Sequence, residues 1–366
     1  MKILFIAPRF HTNMIEWVRV LQKNNHEIFI NTLISHETED YSLVKPKKFR
    51  LSIFSKLINL FFGDGGENLK RGFPNVIEYL TYFRKIKPEV IVVRDLSRWF
   101  SILVLILSKF TETKLIVYSQ NKIHNKFNVK RRMFHNIICF LFNPAFMSPI
   151  KGDKPKKLKI LKNTFYVPFA ARNHHLIKNN DKYFTILMIG KFIERKNHLS
   201  LIEIIKKLKI NYPLIRLIII GEAYEKEHFK ILKKIISQIN LLSKDNFIQL
   251  IINIQYSEVN KYYSKADLFV LPSTEEPASI SIIEALANQV PVICSNTCGT
   301  SEYIDINNDG TVFKDNNMLD LQEKIKHFID NTNSPNRESL VKFQFDGNNF
   351  YFHFQKMLKQ HFNIKI

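Results

Sequence analysis

Lys191 and Lys196 stand five positions apart directly after the glycine that closes an apolar run, in Ile189-Gly190-Lys191-Phe192-Ile193-Glu194-Arg195-Lys196-Asn197. Glu276 and Glu284 stand eight apart in Ser273-Thr274-Glu275-Glu276-Pro277-Ala278-Ser279-Ile280-Ser281-Ile282-Ile283-Glu284-Ala285-Leu286-Ala287. Cations at a strand end can neutralise a phosphate that takes up charge as its bond to carbon breaks, and carboxylates accept hydrogen bonds from sugar hydroxyls. A helix capped by Ser279 or Ser281 adds free N–H groups and a positive dipole, which suit a diphosphate. One site could read both parts of a ligand that carries a diphosphate and a sugar. Each pair alone has an ordinary explanation: Lys-Arg-Lys clusters are usually solvated loops, and acids near a helix start complement its dipole.

Both pairs need a sheet to hold them. Apolar, β-branched runs at Lys2–Ala7, Glu27–Leu33, Val90–Val93 and Leu115–Tyr118, then at Phe184–Ile189, Leu214–Ile220, Asn246–Ile251, Leu268–Leu271 and Pro291–Cys294, predict strands. Amphipathic stretches between them, among them Met14–Leu21, Leu199–Leu208, His228–Ile239 and Ser279–Ala287, predict helices. Such alternation argues for parallel α/β sheets, in which ligands bind past the carboxyl ends of the strands. A polar stretch from Arg172 to Asp181 separates the two series. The expected domains are therefore 1–170 and 171–344, both doubly wound, with an aromatic, basic terminal helix over 345–366.

The chain has 366 residues, 45% of them hydrophobic, and a formal net charge of +21. This excludes a disordered protein and predicts an anionic partner. The charge is uneven: residues 1–170 carry 29 Lys+Arg and 12 Asp+Glu, against 25 and 21 over 171–366. Three cysteines, Cys139, Cys294 and Cys298, are too few for a disulfide framework and lack a zinc pattern. No apolar run reaches the ~18 residues that would span a bilayer. Asp305-Ile306-Asn307-Asn308-Asp309-Gly310 opens like a calcium loop, but Asn316 stands where the bidentate glutamate belongs, so no metal is expected.

Taken together, Gly190, Lys191 and Lys196, the Glu276-x7-Glu284 pair with Glu-Ala-x-Ala at 284–287, Pro291-Val292-Ile293, Cys298-Gly299-Thr300-Ser301-Glu302 and Gly310 resemble glycosyltransferase family 4, retaining enzymes of the GT-B fold. The likeness is clear over about 184–313. It implies two Rossmann-like domains facing a central cleft, with the last helix crossing back to the first domain. It also implies transfer of a hexose from a UDP- or GDP-sugar to a saccharide acceptor, with retention and without a metal. Lys191, Lys196 and Gly190 would hold the donor diphosphate, Glu276 the transferred sugar, Glu284 the ribose, and Ser279 and Ile280 the helix start at the donor. The acceptor would fall to the first domain. Three features depart from the family: Pro277-Ala278-Ser279 replaces Gly-Phe-Gly, Pro8-Arg9-Phe10-His11-Thr12-Asn13 replaces a glycine-bearing loop, and Tyr118-Ser119-Gln120-Asn121 lacks a histidine, with His124 close by.

On the acceptor side, His11, Asn13, Arg94, Arg98 and His124 are candidates from their places after strand ends. Phe54, Leu57, Ile58 and Phe61 share one helical face behind Lys45, Lys47, Lys48 and Arg50, which suits either an anionic membrane or a core-facing helix. Further charge collects at Lys126–Arg132 and Lys151–Lys162. A cytoplasmic protein, peripheral on a membrane and acting on a lipid-linked saccharide, is the expectation. The competing readings are a nucleotide-sugar epimerase or phosphorylase of the same fold, and a non-catalytic basic protein that binds nucleic acid. The last would carry a helix-turn-helix, zinc-finger or RNA-binding signature, and none is present, so nucleic acid is not an expected partner.

Overall fold

The computed structural model describes all residues except 37, 63–71, 126, 153–159, 175–181, 243–245, 307, 332–345 and 366. The linker residues 175–181, the basic run 153–159, Lys126, Asn307 of the calcium-like turn and the expected domain end at 344 lie outside the described residues. The chain forms two compact units, Met1–Ala170 with Gly347–Ile366, and Ala171–Asp346.

The first unit contains β1 (Lys2–Ile6), α1 (Ile15–Lys23), β2 (Glu27–Thr32), β3 (Lys47–Lys48), α2 (Ile53–Phe62), α3 (Val76–Ile86), β4 (Val90–Arg94), α4 (Trp99–Phe110), β5 (Lys114–Tyr118), α5 (Val129–Phe142), β6 (Ala145–Ser148) and β7 (Thr164–Tyr166). The strand order is β3-β2-β1-β4-β5-β6-β7, and each pairing is parallel. The strands are apolar on both faces because helices cover both. Leu4, Ile6, Ile91, Val93, Leu115 and Val117 meet Tyr79, Phe83, Phe100, Val104 and Ile138 from α3, α4 and α5 in one core. The winding reverses between β1 and β4, which sets the switch point there.

The second unit contains β8 (Phe184–Ile189), α6 (His198–Lys209), β9 (Ile215–Gly221), α7 (Lys226–Leu241), β10 (Ile248–Ile252), α8 (Tyr256–Tyr263), β11 (Leu268–Leu271), α9 (Ile280–Ala287), β12 (Val292–Ser295), β13 (Gly310–Phe313) and α10 (Met318–Asp330). Its parallel sheet runs β10-β9-β8-β11-β12-β13, so its switch point lies between β8 and β11. Ile186, Met188, Leu217, Ile219, Leu268, Val270 and Ile293 supply the sheet side of its core.

After the second unit the chain returns to the first as α11 (Gly347–Phe362). Phe350 stacks on the buried Trp17 of α1 at a centroid distance of 5.3 Å, and Phe169 stacks on the same indole at 5.9 Å. A Cβ on Gly347 would stand 2.4 Å from Val20 Cγ2, so only glycine lets α11 start this close to α1.

The structure adds to the sequence expectations in one place and decides an open alternative in another. The short strands β3, β6, β7 and β13 were not anticipated, since runs of two to four residues carry too few alternations to declare a period. The α2 face carrying Phe54, Leu57 and Phe61 does not enter the core: all three are exposed, Phe61 by 82%. Ser55 points inward instead, where its Oγ accepts the Phe73 N–H at 2.7 Å.

Candidate active site

In the second unit the segments leaving β8 and β11 are tied together across the switch point. After β8, residues Glu194–Lys196 make a single 3-10 turn that ends at Asn197 in the left-handed region. Asn197 Nδ2 donates to Pro272 O at 2.9 Å, and the Thr274 N–H donates to Arg195 O at 2.9 Å. The next loop, after β12, fixes the other side: the Glu275 N–H donates to Thr297 Oγ1 at 3.1 Å, the Gly299 N–H to Glu276 O at 2.8 Å, and Ser295 Oγ to Ser273 O at 2.6 Å. The Glu276 backbone is therefore held from both neighbouring loops.

Its side chain is held as firmly. Lys196 Nζ lies 2.6 Å from Glu276 Oε2, and Arg195 Nη1 donates to the same oxygen. Glu276 is 4% exposed and Lys196 7%, while Arg195 is open to solvent on one side. Two cations on one carboxylate leave a net positive charge at the strand edge. Gly190 makes room for this arrangement, because a Cβ there would meet Lys196 Cε at 3.3 Å. His198 is buried beside Phe192, and burial followed by the Lys196 charge pushes its pKa down to about 3. The imidazole is neutral and adds no third cation.

Glu284 lies on α9 and is buried. The Tyr263 hydroxyl donates to its Oε2 at 2.9 Å, and the Tyr256 hydroxyl donates to Oε1. Burial and the Glu284 charge raise the Tyr263 pKa well above the ordinary phenol value, so this hydroxyl stays a donor. A carboxylate has about four lone-pair sites, so two phenols leave capacity for a ligand's hydroxyls. Ser279 is the N-cap of α9, but its hydroxyl does not cap as anticipated: it pairs with Ser281 Oγ at 2.8 Å, while the Ser279 N–H donates to Thr300 Oγ1 at 3.3 Å. Ile280 is the first helical residue and is partly buried.

Lys191 is placed differently from Lys196. Its Nζ is 3.8 Å from Glu222 Oε2, and the second cation on Glu276 is Arg195. Arg195, Tyr256 and Tyr263 are the residues that sequence reasoning missed. Arg195 stands inside the quoted motif, and the tyrosines are seven apart on α8, two turns of one face, which is the signal that could have found them. Cys294 and Cys298 are free and buried below this loop. Among the described residues no three His, Cys, Asp or Glu gather in a way that could hold a metal.

In the first unit, Asn13 Nδ2 donates to the Tyr118 hydroxyl at 2.9 Å, Gln120 Nε2 donates to it at 3.2 Å, and Arg94 Nη2 donates to Gln120 Oε1 at 3.3 Å. Asn13 and Arg94 thus share one network at the carboxyl edge of the sheet. His11 precedes the 3-10 turn Thr12–Met14 and accepts the Met14 N–H on its carbonyl at 3.0 Å. His124 lies in the loop after β5, where its N–H donates to Lys151 O at 2.8 Å.

Two parallel, doubly wound units and a charged cluster at a switch point define a class, and comparison with known proteins agrees with it. Residues 171–342 match the family model described as glycosyl transferases group 1, so over that span the chain is similar to that family. An uncharacterized glycosyltransferase of Methanocaldococcus jannaschii is 30% identical over 171 residues, covering 47% of this chain and 45% of the relative. A 4-alpha-N-acetylgalactosaminyltransferase of Campylobacter jejuni that acts on N-acetylgalactosamine-N,N'-diacetylbacillosaminyl-diphospho-undecaprenol is 28% identical over 171 residues, covering 44% and 43%. The chain spans less than half the length of these relatives. Among solved structures, Anabaena HepE with UDP and glucose superposes with a TM-score of 0.72 at 14% identity, covering 98% of this chain and 100% of that one. A Rickettsia africae glycosyltransferase does so with a TM-score of 0.72 at 16% identity, covering 99% and 98%. The fold is GT-B.

Proposed function

We propose that the protein is a retaining glycosyltransferase of family 4 type that moves a hexose from a nucleoside diphosphate sugar to a saccharide acceptor. The observation that carries this reading is the cluster of Lys196, Arg195 and Glu276 at the switch point beside the α9 N-terminus. A diphosphate there meets Lys196, Arg195 and the first free N–H groups of α9, which take up the charge that develops on the leaving group. Glu276 orients both cations and accepts from the hydroxyls of the bound sugar. Glu284, set by Tyr256 and Tyr263, accepts from the ribose hydroxyls.

The bond from the anomeric carbon to the diphosphate oxygen breaks, and its electron pair stays on that oxygen. The acceptor hydroxyl bonds to the carbon from the same face and passes its proton to the departing phosphate. This step needs no side-chain base; the protein contributes positioning and charge. The cations supply the neutralisation a divalent ion could otherwise give, so the reaction is proposed to be independent of added metal. The HepE complex supports a UDP-sugar as the first donor to try.

Acceptor binding is assigned to the first unit. The Campylobacter relative and an alpha-monoglucosyldiacylglycerol synthase of Acholeplasma laidlawii support a lipid-linked or lipid acceptor, as in surface glycan assembly. Exposed apolar residues on α2, α4 and α5 support a peripheral position on the cytoplasmic face of an anionic membrane. Among the described residues no helix is long and apolar enough to cross a membrane.

The test is a thermal-shift screen with UDP, GDP, ADP, CMP and their sugars, since a ligand held only by the folded state raises its stability. Transfer from the stabilising donor is then followed by NMR at the anomeric proton, with and without EDTA. A retained anomer in the product supports the reading. No shift with any nucleotide and no transfer would overturn it, and an acceptor-independent epimer would favour an epimerase.

A further inference from the structure

The first sheet repeats, at its own switch point, the placement that carries the donor site in the second. The segments leaving β1 and β4 bring Arg9, Arg94 and Arg98 to that edge. Arg9 and Arg98 are buried and paired with carboxylates, Arg9 with Glu39, and Arg98 with its Nε 3.5 Å from Asp95 Oδ2.

Arg94 differs from both. Its Nη2 bonds the neutral Gln120 Oε1, its guanidinium lies 5.7 Å from the Tyr118 ring centroid, and its Nη1 is out of solvent with no hydrogen-bond partner. Burial, with the charges of Arg98 and Arg9 adding to it, pulls its pKa below the usual arginine value. A guanidinium in that position keeps a donor that an oxygen of a ligand can fill. Asn13, 7% exposed, is in the same network; its Oδ1 is buried without a partner and, being an acceptor, calls for a hydroxyl on the ligand rather than for its charge. Directly after Arg98, α4 begins with no side-chain cap and no acid in its first turn.

We infer that Arg94, with Arg98 beside it, is an oxyanion site that holds a phosphate or carboxylate carried by the acceptor, while Asn13 Oδ1 accepts from a hydroxyl of the same ligand. This rests on the assignment of the acceptor to the first unit and narrows it to anionic acceptors. An oxyanion pairs with the guanidinium fork, satisfies Nη1 and faces the open N–H groups of α4. Arg9 and Arg98, already neutralised by Glu39 and Asp95, keep the ligand's charge to what Arg94 can balance.

The chain's two tryptophans flank the cluster: the Trp17 ring is 4.9 Å from that of Tyr118, and Trp99 follows Arg98. Their fluorescence therefore reports the site without any transfer. The Lys196→Ala variant, with its donor site weakened, is titrated with sodium pyrophosphate, sodium glucuronate and glucose. A saturable change with pyrophosphate or glucuronate, absent with glucose, is expected, and the ion that binds tells phosphate from carboxylate. Adding Arg94→Gln should weaken that binding at least tenfold, and Arg94→Lys, which keeps charge but loses the fork, should fall between. No saturable change, or an equal one with Arg94→Gln at unchanged circular dichroism, overturns the inference. If Arg94→Gln does not fold, Arg94→Lys takes its place, and binding equal to that of the parent overturns the inference. The titration reads binding alone, so it can succeed where no transfer is found and fail where transfer to a neutral acceptor is found.

Discussion

Lys196 Nζ and Glu276 Oε2 meet at 2.6 Å although 80 residues separate them in the chain. The contact joins the exits of β8 and β11, the two strands that flank the second sheet's switch point. Both side chains are buried, so the pair is screened little by solvent and its net charge, with Arg195 added, is available to a ligand. Removal of Lys196 should cost activity far more than fold. Lys196→Ala is expected to lower kcat/KM about a hundred- to a thousandfold, the scale of losing one placed donor at a developing charge. Arg195 remains on Glu276, so stability should fall by only about 1–3 kcal/mol. Steady-state transfer rates and thermal melts measure the two effects separately, and a variant with wild-type turnover would remove Lys196 from the site.

Gly190 serves that lysine by what it lacks. An added methyl meets Lys196 Cε at 3.3 Å, close enough to push a flexible side chain but not the backbone. Gly190→Ala should therefore lower transfer about tenfold through misplacement of the ammonium, with the melting temperature nearly unchanged. Equal losses of activity and stability would point to a backbone role instead.

Tyr263 is expected to act through Glu284. Its hydroxyl, buried with α9, donates to Glu284 Oε2 at 2.9 Å and lies 3.3 Å from Ser281 O. Tyr263→Phe should cost about 1.5–3 kcal/mol of stability, the range for a lost hydrogen bond to a charged group. It should also weaken nucleotide binding while leaving the rate at saturating donor close to wild type, because the ribose takes no part in bond breaking. Calorimetric titration with UDP and a KM-against-kcat comparison check this; an unchanged affinity would separate Glu284 from the nucleotide.

His198 gives the site an acid sensitivity. Its pKa falls from 6.5 to about 3 on folding, by burial first and the Lys196 charge second. Between these values the unfolded chain binds more protons than the folded one, so stability falls as pH drops. The contribution is complete above the unfolded pKa and is lost at up to about 1.4 kcal/mol per pH unit within the window. Urea melts at pH 5 and pH 7 should show a smaller difference for His198→Phe than for the wild type. Equal differences would place the acid sensitivity elsewhere.

Fold class and most of the charged cluster after β8 and β11 are legible because they follow from patterns that repeat. Nine apolar runs and their spacing are enough for two parallel sheets, and a switch point then places whatever follows β8 and β11. That logic places Lys196 and Glu276 at one sheet edge, where the structure pairs them, and Glu284 on the helix that follows β11. What does not come through depends on side-chain direction across long separations. Nothing local says that Arg195 rather than Lys191 shares Glu276: Lys191 lies before the 3-10 turn and reaches Glu222 instead, while the turn brings Arg195 to Glu276. Tyr256 and Tyr263 share one face of α8 by their spacing, but nothing in that spacing says that the face meets Glu284, 21 residues beyond Tyr263. The Ser279 hydroxyl pairs with Ser281 Oγ rather than with a helical N–H, a choice of side-chain rotamer that residue type does not dictate. For α2 the pattern left two sides open: periodicity fixes which residues share a face, but not whether core or solvent meets it, and the structure exposes that face.

That face bears on where the protein works. Phe54 and Phe61 of α2 are 60% and 82% exposed, Ile106 and Phe110 of α4 and Phe134 and Phe140 of α5 are also exposed, and Phe54 stacks on Trp99 to join α2 to α4. The helices α4 and α5 cover the same side of the sheet. None of α2, α4 and α5 contains an aspartate or glutamate, while Lys56, Lys109, Lys130, Arg131 and Arg132 lie on them and are exposed. An apolar surface without acids and with scattered cations fits an anionic bilayer, where each cation near the surface is worth about 1 kcal/mol and each buried ring adds more. Substitution of solvent-facing side chains should leave the fold intact, within about 0.5 kcal/mol each. Phe54→Ser, Phe61→Ser and Phe140→Ser together should therefore release the protein from vesicles of anionic lipid without lowering its melting temperature. High salt should release the wild type in part, since screening removes the charge contribution and leaves the apolar one. Cosedimentation that is equal for the wild type and the triple variant, or equal on neutral and anionic vesicles, would rule out this surface as the membrane contact.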